Sequence, residues 1–308
     1  MRITDVLKTV LPVVIMLVTG MICRRRKLIS REGIHALKRV VVDITLPAML
    51  LGAFASTEYT FMDVVIPLMM YVVCFAGWGL GKLFKKLLRL DSRFVPYLTT
   101  GFEAGMLGYA LFTMLSGGGR TAEFARIDLG QVLFVFTAYK ILLGMEGDEA
   151  VDRGALIREM LLSPIIIAIA AGVLLGATGL FEALKPSGVS GIITNCTDFV
   201  SAPTSAVILL TIGYDLVLDD IPWVPALKVV ILRFAIMMVL RAAFLAVLVR
   251  FFPQADPGMA VNVMFILPPP FVLPVFADDA DQRVYVSSVL SLSTVVAIAG
   301  FAVLSAIG

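Results

Sequence analysis

The sequence predicts an all-α integral membrane protein, with ten transmembrane helices laid out as two inverted five-helix repeats. Three observations predict it: an apolar composition, apolar runs of helix length, and a pattern of Pro, Gly and Asp that recurs in the two halves. Of 308 residues, 59% are hydrophobic and only 16% are charged, and the mean hydropathy is +0.97. A soluble domain of that length needs far more charged surface. The apolar runs are helix-length rather than the roughly ten-residue dyads of an outer-membrane barrel, so the spans are helices.

The spans fall at about 6–23, 34–55, 63–84, 95–116, 127–145, 160–182, 190–213, 225–250, 258–277 and 284–307. Each is near the roughly 20 residues needed to cross a bilayer. The first apolar run is followed by RRRK at 24–27 with no small-residue cleavage site, so it stays as a transmembrane helix rather than a signal peptide. Connection one carries Arg24, Arg25, Arg26, Lys27 and Arg31, and connection three carries Lys82, Lys85, Lys86, Arg89 and Arg93. Connection two has Glu58 and Asp63 and no basic residue. The positive-inside rule puts connections one and three in the cytoplasm and both termini on the outer side of a multi-pass inner or plasma membrane. The most polar stretch, EGDEAVDRGALIRE at 146–159, marks the midpoint. A solvated cytoplasmic linker over 149–159 is preferred to a regulatory element, and it separates a first repeat, 1–148, from a second, 160–308.

The repeat shows in the spacing. Pro12 is followed eight residues later by Gly20, and Pro164 eight residues later by Gly172. Asp43 stands four residues before Pro47 in span two, and Asp198 five before Pro203 in span seven. Chance placement of Pro and Gly in apolar helices is the plain alternative. A five-helix unit crosses an odd number of times, so its second copy must be inverted. Inverted repeats mark secondary transporters, whose sites lie near the midplane where the repeats meet.

Spans four and nine then correspond, and both are broken by composition. Span four reads TTGFEAGMLGYALF at 99–112, with glycines at 101, 105 and 108 around Glu103. Span nine reads FILPPPFVLPVF, with Pro268, Pro269, Pro270 and Pro274. Consecutive prolines cannot continue an α-helix, because each lacks an N–H and restrains the residue before it. Carbonyls freed at membrane depth must be satisfied by protein or by a water-lined cavity. Paired discontinuous helices are the best sequence pointer to a substrate site, and half-helix amino termini suit an anionic ligand.

Other chemistries are poorly served. Cys23, Cys74 and Cys196 have no pairing or metal spacing, and the lone His35 makes a histidine-based metal or catalytic site a poor fit. There is no G-x-x-x-x-G-K-[ST] loop for ATP, no HExxH, no GxSxG and no cysteine–histidine pair. No cofactor, metal, nucleic-acid partner or enzymatic activity is expected.

The opening, LPVVIMLVTGMICRRRKLISREGIHALKRVVVDITLPAMLLGAFA, resembles the first two spans of the auxin efflux carrier family, whose bacterial members are often labelled malate or malonate permeases. DFVSAPTSAVILLTIGYDL resembles its seventh span, and the proline-broken ninth span followed by SSVLSLSTVVAIAGF resembles its ending. The resemblance runs along essentially the whole chain. It implies a fold akin to bile-acid and sodium/proton transporters, with spans four and nine crossing at the midplane. It also implies a scaffold of spans 1, 2, 6 and 7, a moving transport part of spans 3–5 and 8–10, and a homodimer. Two departures stand out. Where the family commonly has an asparagine and then Thr-Gly-hydrophobic-x-Gly-Leu-Pro, this chain keeps Gly105 and Gly108 but has Glu103 at the asparagine and Ala110 at the proline. Its Met-Pro-Pro type of motif appears as Leu267-Pro268-Pro269-Pro270, with no matching asparagine after it.

Glu103 is the foremost candidate, because a mid-bilayer carboxylate costs roughly 2.5–3.5 kcal/mol on insertion scales unless paired or neutralised. It could carry a coupling proton, ligate sodium, contact a cationic group, or pair with a basic residue. Thr99, Thr100, Gly101, Gly105 and Gly108 line the expected crossover, with close helix packing as their structural alternative. Pro268, Pro269 and Pro270 form the opposite break. Asp43 and Asp198 are candidates for ion coupling or for capping a half-helix. Asn195, Thr197, Ser201, Thr204 and Ser205 make span seven polar enough to border a substrate path. Arg241, deep in span eight, is the favoured basic partner for Glu103, Asp198 or a substrate carboxylate. Arg233 lies nearer the cytoplasmic end, and Lys140 in span five is placed to snorkel. The expected function is secondary active transport of a small organic acid by elevator-type alternating access, coupled to H+ or Na+. A sodium/proton antiporter is the near alternative, and a membrane-embedded ligand sensor the alternative of another class.

Overall fold

The structure, a computed structural model, describes residues 3–57, 59–117, 120–145, 154, 158, 161–216, 222–253, 258–277 and 280–307. The predicted linker at 149–159 lies outside the described residues except for Gly154 and Arg158. Among the described residues the chain is all helix and turn, without strands.

The first half comprises α1 (Ile3–Arg25), α2 (Arg31–Val40), α3 (Leu46–Ala55), α4 (Met62–Leu87), α5 (Val95–Leu98), α6 (Tyr109–Ser116), α7 (Thr121–Phe134) and α8 (Lys140–Met145). The second half comprises α9 (Pro164–Ala177), α10 (Leu180–Ala183), α11 (Val189–Ser201), α12 (Thr204–Asp215), α13 (Trp223–Phe251), α14 (Gly258–Ile266) and α15 (Ala280–Ile307). Among the described residues, five helical stretches are long and apolar enough to cross a membrane: Leu7–Arg25, Met62–Leu87, Val189–Asp215, Trp223–Phe251 and Ala280–Ile307. Ala104–Ser116 and Pro164–Ala177 are shorter apolar helices. The chain is a multi-pass, all-helical membrane protein.

Its outer surface agrees with that. Leu7, Leu11, Ile15, Val18 and Ile22 of α1 are exposed along one face, as are Val64, Leu68, Val72 and Phe75 of α4. Steps of three and four residues keep each set on a single stripe. Stripes of that size, exposed, suit lipid rather than water.

Span two is one continuous helix. A π turn, Val41–Thr45, joins α2 to α3, and the Leu46 N–H donates to the Val41 carbonyl five residues back. Pro47 has no N–H to return one turn, and the helix widens just before it. Span seven does break: α11 stops at Ser201, and α12 restarts at Thr204 after Pro203.

Glycines let the backbones meet. Between α1 and α12, a Cβ on Gly20 would strike Leu210, Gly213 and Tyr214, and one on Gly213 would strike the backbone of Leu17. Between α9 and α3, a Cβ on Gly172 would lie 2.7 Å from Phe54 Cβ and 3.0 Å from the Leu51 carbonyl oxygen. Between α4 and α7, Gly130 packs directly on Pro67. An ion pair of Arg126 with Asp63 joins the starts of α7 and α4, and one of Lys38 with Asp215 joins α2 to the end of α12.

Candidate functional site

Both predicted breaks are present, and they meet. After α5 the chain is non-helical from Thr99 to Glu103, then resumes through a π turn, Ala104–Gly108, into α6. Gly101 sits at φ +63°, a left-handed conformation that only glycine adopts without strain. A Cβ there would lie 2.9 Å from Pro270 Cγ. On the other side, α14 ends at Ile266, and Leu267–Pro270 is non-helical before a short 3-10 turn, Leu273–Phe276.

Glu103 stitches the two breaks together. Its N–H donates to the Pro268 carbonyl at 2.9 Å. Its carboxylate accepts from the N–H of Phe271 at 2.6 Å and from that of Met106 at 3.3 Å, so it caps its own half-helix and holds the opposite segment. Among the described residues no basic side chain pairs with it; the fields of Asp128 and Lys38 reach it.

The freed carbonyls are claimed from α13. Buried Arg233 donates to Leu98 (3.0 Å), Thr100 (3.3 Å), Gly101 (2.7 Å) and Leu267 (2.9 Å). Its guanidinium carbon lies 5.5 Å from the centre of the Phe102 ring. Tyr139 donates its hydroxyl to the Tyr97 carbonyl at 3.1 Å.

The other predicted residues separate into groups. Thr99 and Thr100 are fully buried, and both hydroxyls turn away from the crossing: Thr99 donates to Val95 and Pro96 at 3.1 Å, Thr100 to Cys74 of α4. Gly108 lies against Phe124 and Leu267, whereas Gly105 is roomier, with Leu46 Cδ2 at 3.9 Å from a would-be Cβ. Pro268, Pro269 and Pro270 are buried. Asp43 is exposed, 3.9 Å from Arg39, and caps nothing because the helix runs on through it. Asn195 faces outward. Arg241 reaches neither Glu103 nor Asp198; its Nε donates to Asn262 of α14 at 2.7 Å.

Two polar cavities lie along α12, and the smaller reaches the crossing. One of about 330 Å³ lies among α3, α6, α7, α11 and α12, lined by Thr113, Thr121, Thr197, Asp198, Ser201 and Ser205 among others. The second, about 200 Å³, lies at the opposite end of the same seam, lined by Arg31, Asp215, Phe271, Ser287, Ser291 and Thr294 among others. Phe271 connects it to Glu103 through the N–H it donates. Among the described residues no group of three or more His, Cys, Asp or Glu is placed to hold a metal.

No family model matches the chain. It is 23% identical to an uncharacterized transporter of Methanothermobacter thermautotrophicus over 218 residues, which are 68% of this chain and 67% of that one. The chain is similar to a transporter.

Two residues at the crossing escaped sequence reasoning. In sequence Arg233 is only the basic residue nearer the cytoplasmic end of span eight, whereas its guanidinium is the hub of the crossing. Asp128 of α7 did not figure at all. It is buried, accepting from the Tyr109 hydroxyl at 3.0 Å and Gln131 Nε2 at 3.2 Å. The available signal was the insertion cost of an acidic residue in an apolar helix, the argument that singled out Glu103.

Proposed function

We propose that the protein is a secondary active transporter that moves a small organic acid by alternating access, with Glu103 as its coupling group. The observation that carries this reading is the crossing, where a carboxylate without an ion pair among the described residues bridges two broken helices and a cavity reaches it at Phe271. The similarity to a transporter supports it. Ten crossings in two inverted repeats are part of the reading. Its support is that α1 packs on α12 while α9 packs on α3, each through a glycine that follows a helix proline by eight residues. A two-fold that exchanges span one with span six and span two with span seven exchanges these two contacts.

The smaller cavity is the better fit to an organic anion. It carries Arg31 and several hydroxyls, and its carboxylate, Asp215, is paired with Lys38. The larger one presents Asp198, which has no ion pair among the described residues. Positive-inside orientation puts the Arg31 end in the cytoplasm, so the arrangement is open to organic anions from within.

The test is uptake of radiolabelled organic acids into proteoliposomes, with and without a pH or sodium gradient. Glu103→Gln is expected to abolish gradient-coupled uptake at normal expression. Wild-type pH dependence in that variant would rule Glu103 out as proton carrier. Cation exchange without movement of any organic acid would favour the sodium/proton antiporter instead.

A further inference from the structure

The two breaks leave carbonyl oxygens without helical partners in the interior of the molecule. Four of them, from Leu98, Thr100 and Gly101 on one break and Leu267 on the other, converge on Arg233 at 2.7–3.3 Å. Inward-pointing carbonyls at broken helices are the chemistry with which transporters and channels strip the water from an alkali-metal ion. Here the cage is already full. A guanidinium offers five N–H donors in a rigid planar fork and is more weakly hydrated than an ammonium, so it can meet four acceptors at once. The face of Phe102 lies beside it, and the residue is only 4% exposed.

We propose that Arg233 is a tethered cation that permanently fills a carbonyl cage built by both breaks, so that the crossing takes no alkali-metal ion and transport does not depend on sodium there. The inference rests on the transporter reading for its consequence, though not for the cage itself. Arg233 is a positioning residue: it fixes the two breaks relative to one another and leaves Glu103 as the exchangeable charge. Lysine cannot replace it, because one ammonium with three donors cannot satisfy all four carbonyls at once.

The experiment uses the full-length protein with Arg233→Ala and Arg233→Lys, read by thermal unfolding in detergent and by uptake in proteoliposomes. Wild type should unfold and transport equally well in sodium chloride and in choline chloride. Arg233→Ala should unfold several degrees lower and lose uptake, and millimolar methylguanidinium should restore both where methylurea, its neutral analogue, does not. Arg233→Lys should stay impaired. A sodium requirement in wild-type uptake that persists in Arg233→Lys with its affinity changed would overturn the proposal. Equal rescue by methylurea, or an Arg233→Ala protein as stable as wild type, would do the same. If Arg233→Ala does not fold, the sodium test on wild type and the Arg233→Lys comparison still decide. Methylguanidinium rescue of unfolding alone, with no uptake of any organic acid by wild type, would uphold the cage and remove the transporter reading.

Discussion

Gly101→Ala is the most direct test of the crossing, with Gly105→Ala as its partner. Gly101 has φ +63°, where a non-glycine residue costs about 1–2 kcal/mol. Its new Cβ would also sit 2.9 Å from Pro270 Cγ and 3.1 Å from Pro270 Cδ. A proline ring cannot swing aside, so overpacking adds about 1–3 kcal/mol. The sum is roughly 2–5 kcal/mol of lost stability. Gly105 lies within a π turn at helical dihedrals, and its Cβ would meet only Leu46 Cδ2 at 3.9 Å, an ordinary contact. Alanine there should be neutral or stabilising by up to about 1 kcal/mol. At about 2 °C per kcal/mol, Gly101→Ala should unfold on the order of 4–10 °C below wild type, and Gly105→Ala level with it or slightly above. Both can be read by thermal unfolding of the purified protein in one detergent. A Gly101→Ala protein that melts with wild type, or a Gly105→Ala protein that melts lower, would refute the close approach of the two breaks.

The remaining predictions concern the surroundings of that point. Asp128→Ala should cost more stability than Asp128→Asn, because alanine strands the Tyr109 hydroxyl and the Gln131 amide, at about 1–3 kcal/mol for each buried polar group, while asparagine still accepts from one of them. Thermal unfolding of the two variants gives the order directly. Gly213→Leu and Gly172→Leu should each destabilise strongly, since both would force apart helices in backbone contact, whereas Gly191→Leu, with nothing within 4 Å of its Cβ position, should be silent. Expression and monodispersity on size-exclusion chromatography separate the three.

What the sequence made legible follows from what is local. A run of prolines and a cluster of glycines announce a broken helix wherever the helix lies, because the missing N–H and the missing Cβ act within one turn. The breaks at 99–103 and 267–270 are therefore legible in sequence. The identity of the groups that close a break is not local. Arg233 lies 132 residues beyond Gly101, and which face of α13 it occupies depends on how α13 packs. In sequence, Arg241 looked the deeper and better partner, yet two helical turns put it on Asn262 instead. Asp43 illustrates the converse. Its resemblance in spacing to Asp198 was real, but the helix absorbs Pro47 in a π turn, so there is no half-helix end for Asp43 to cap.

The way the crossing is satisfied also bears on how it could move. The Thr100 hydroxyl goes to Cys74 of α4, the Tyr139 hydroxyl to Tyr97, and the Arg233 guanidinium to carbonyls of both breaks. Each of these groups lies on α4, α5, α13, the π turn Val135–Tyr139 that follows α7, or the breaks themselves. Among the described residues, the facing helices α3 and α12 meet the crossing through packing, as Leu46 does at Gly105. Hydrogen bonds with fixed acceptors hold geometry, whereas packed apolar surfaces can slide in small steps. Under the alternating access proposed above, a unit whose polar bonds are internal and whose outer contacts are packing would shift as one body. The broken backbone would travel with its partners, and none of its carbonyls would be released into lipid.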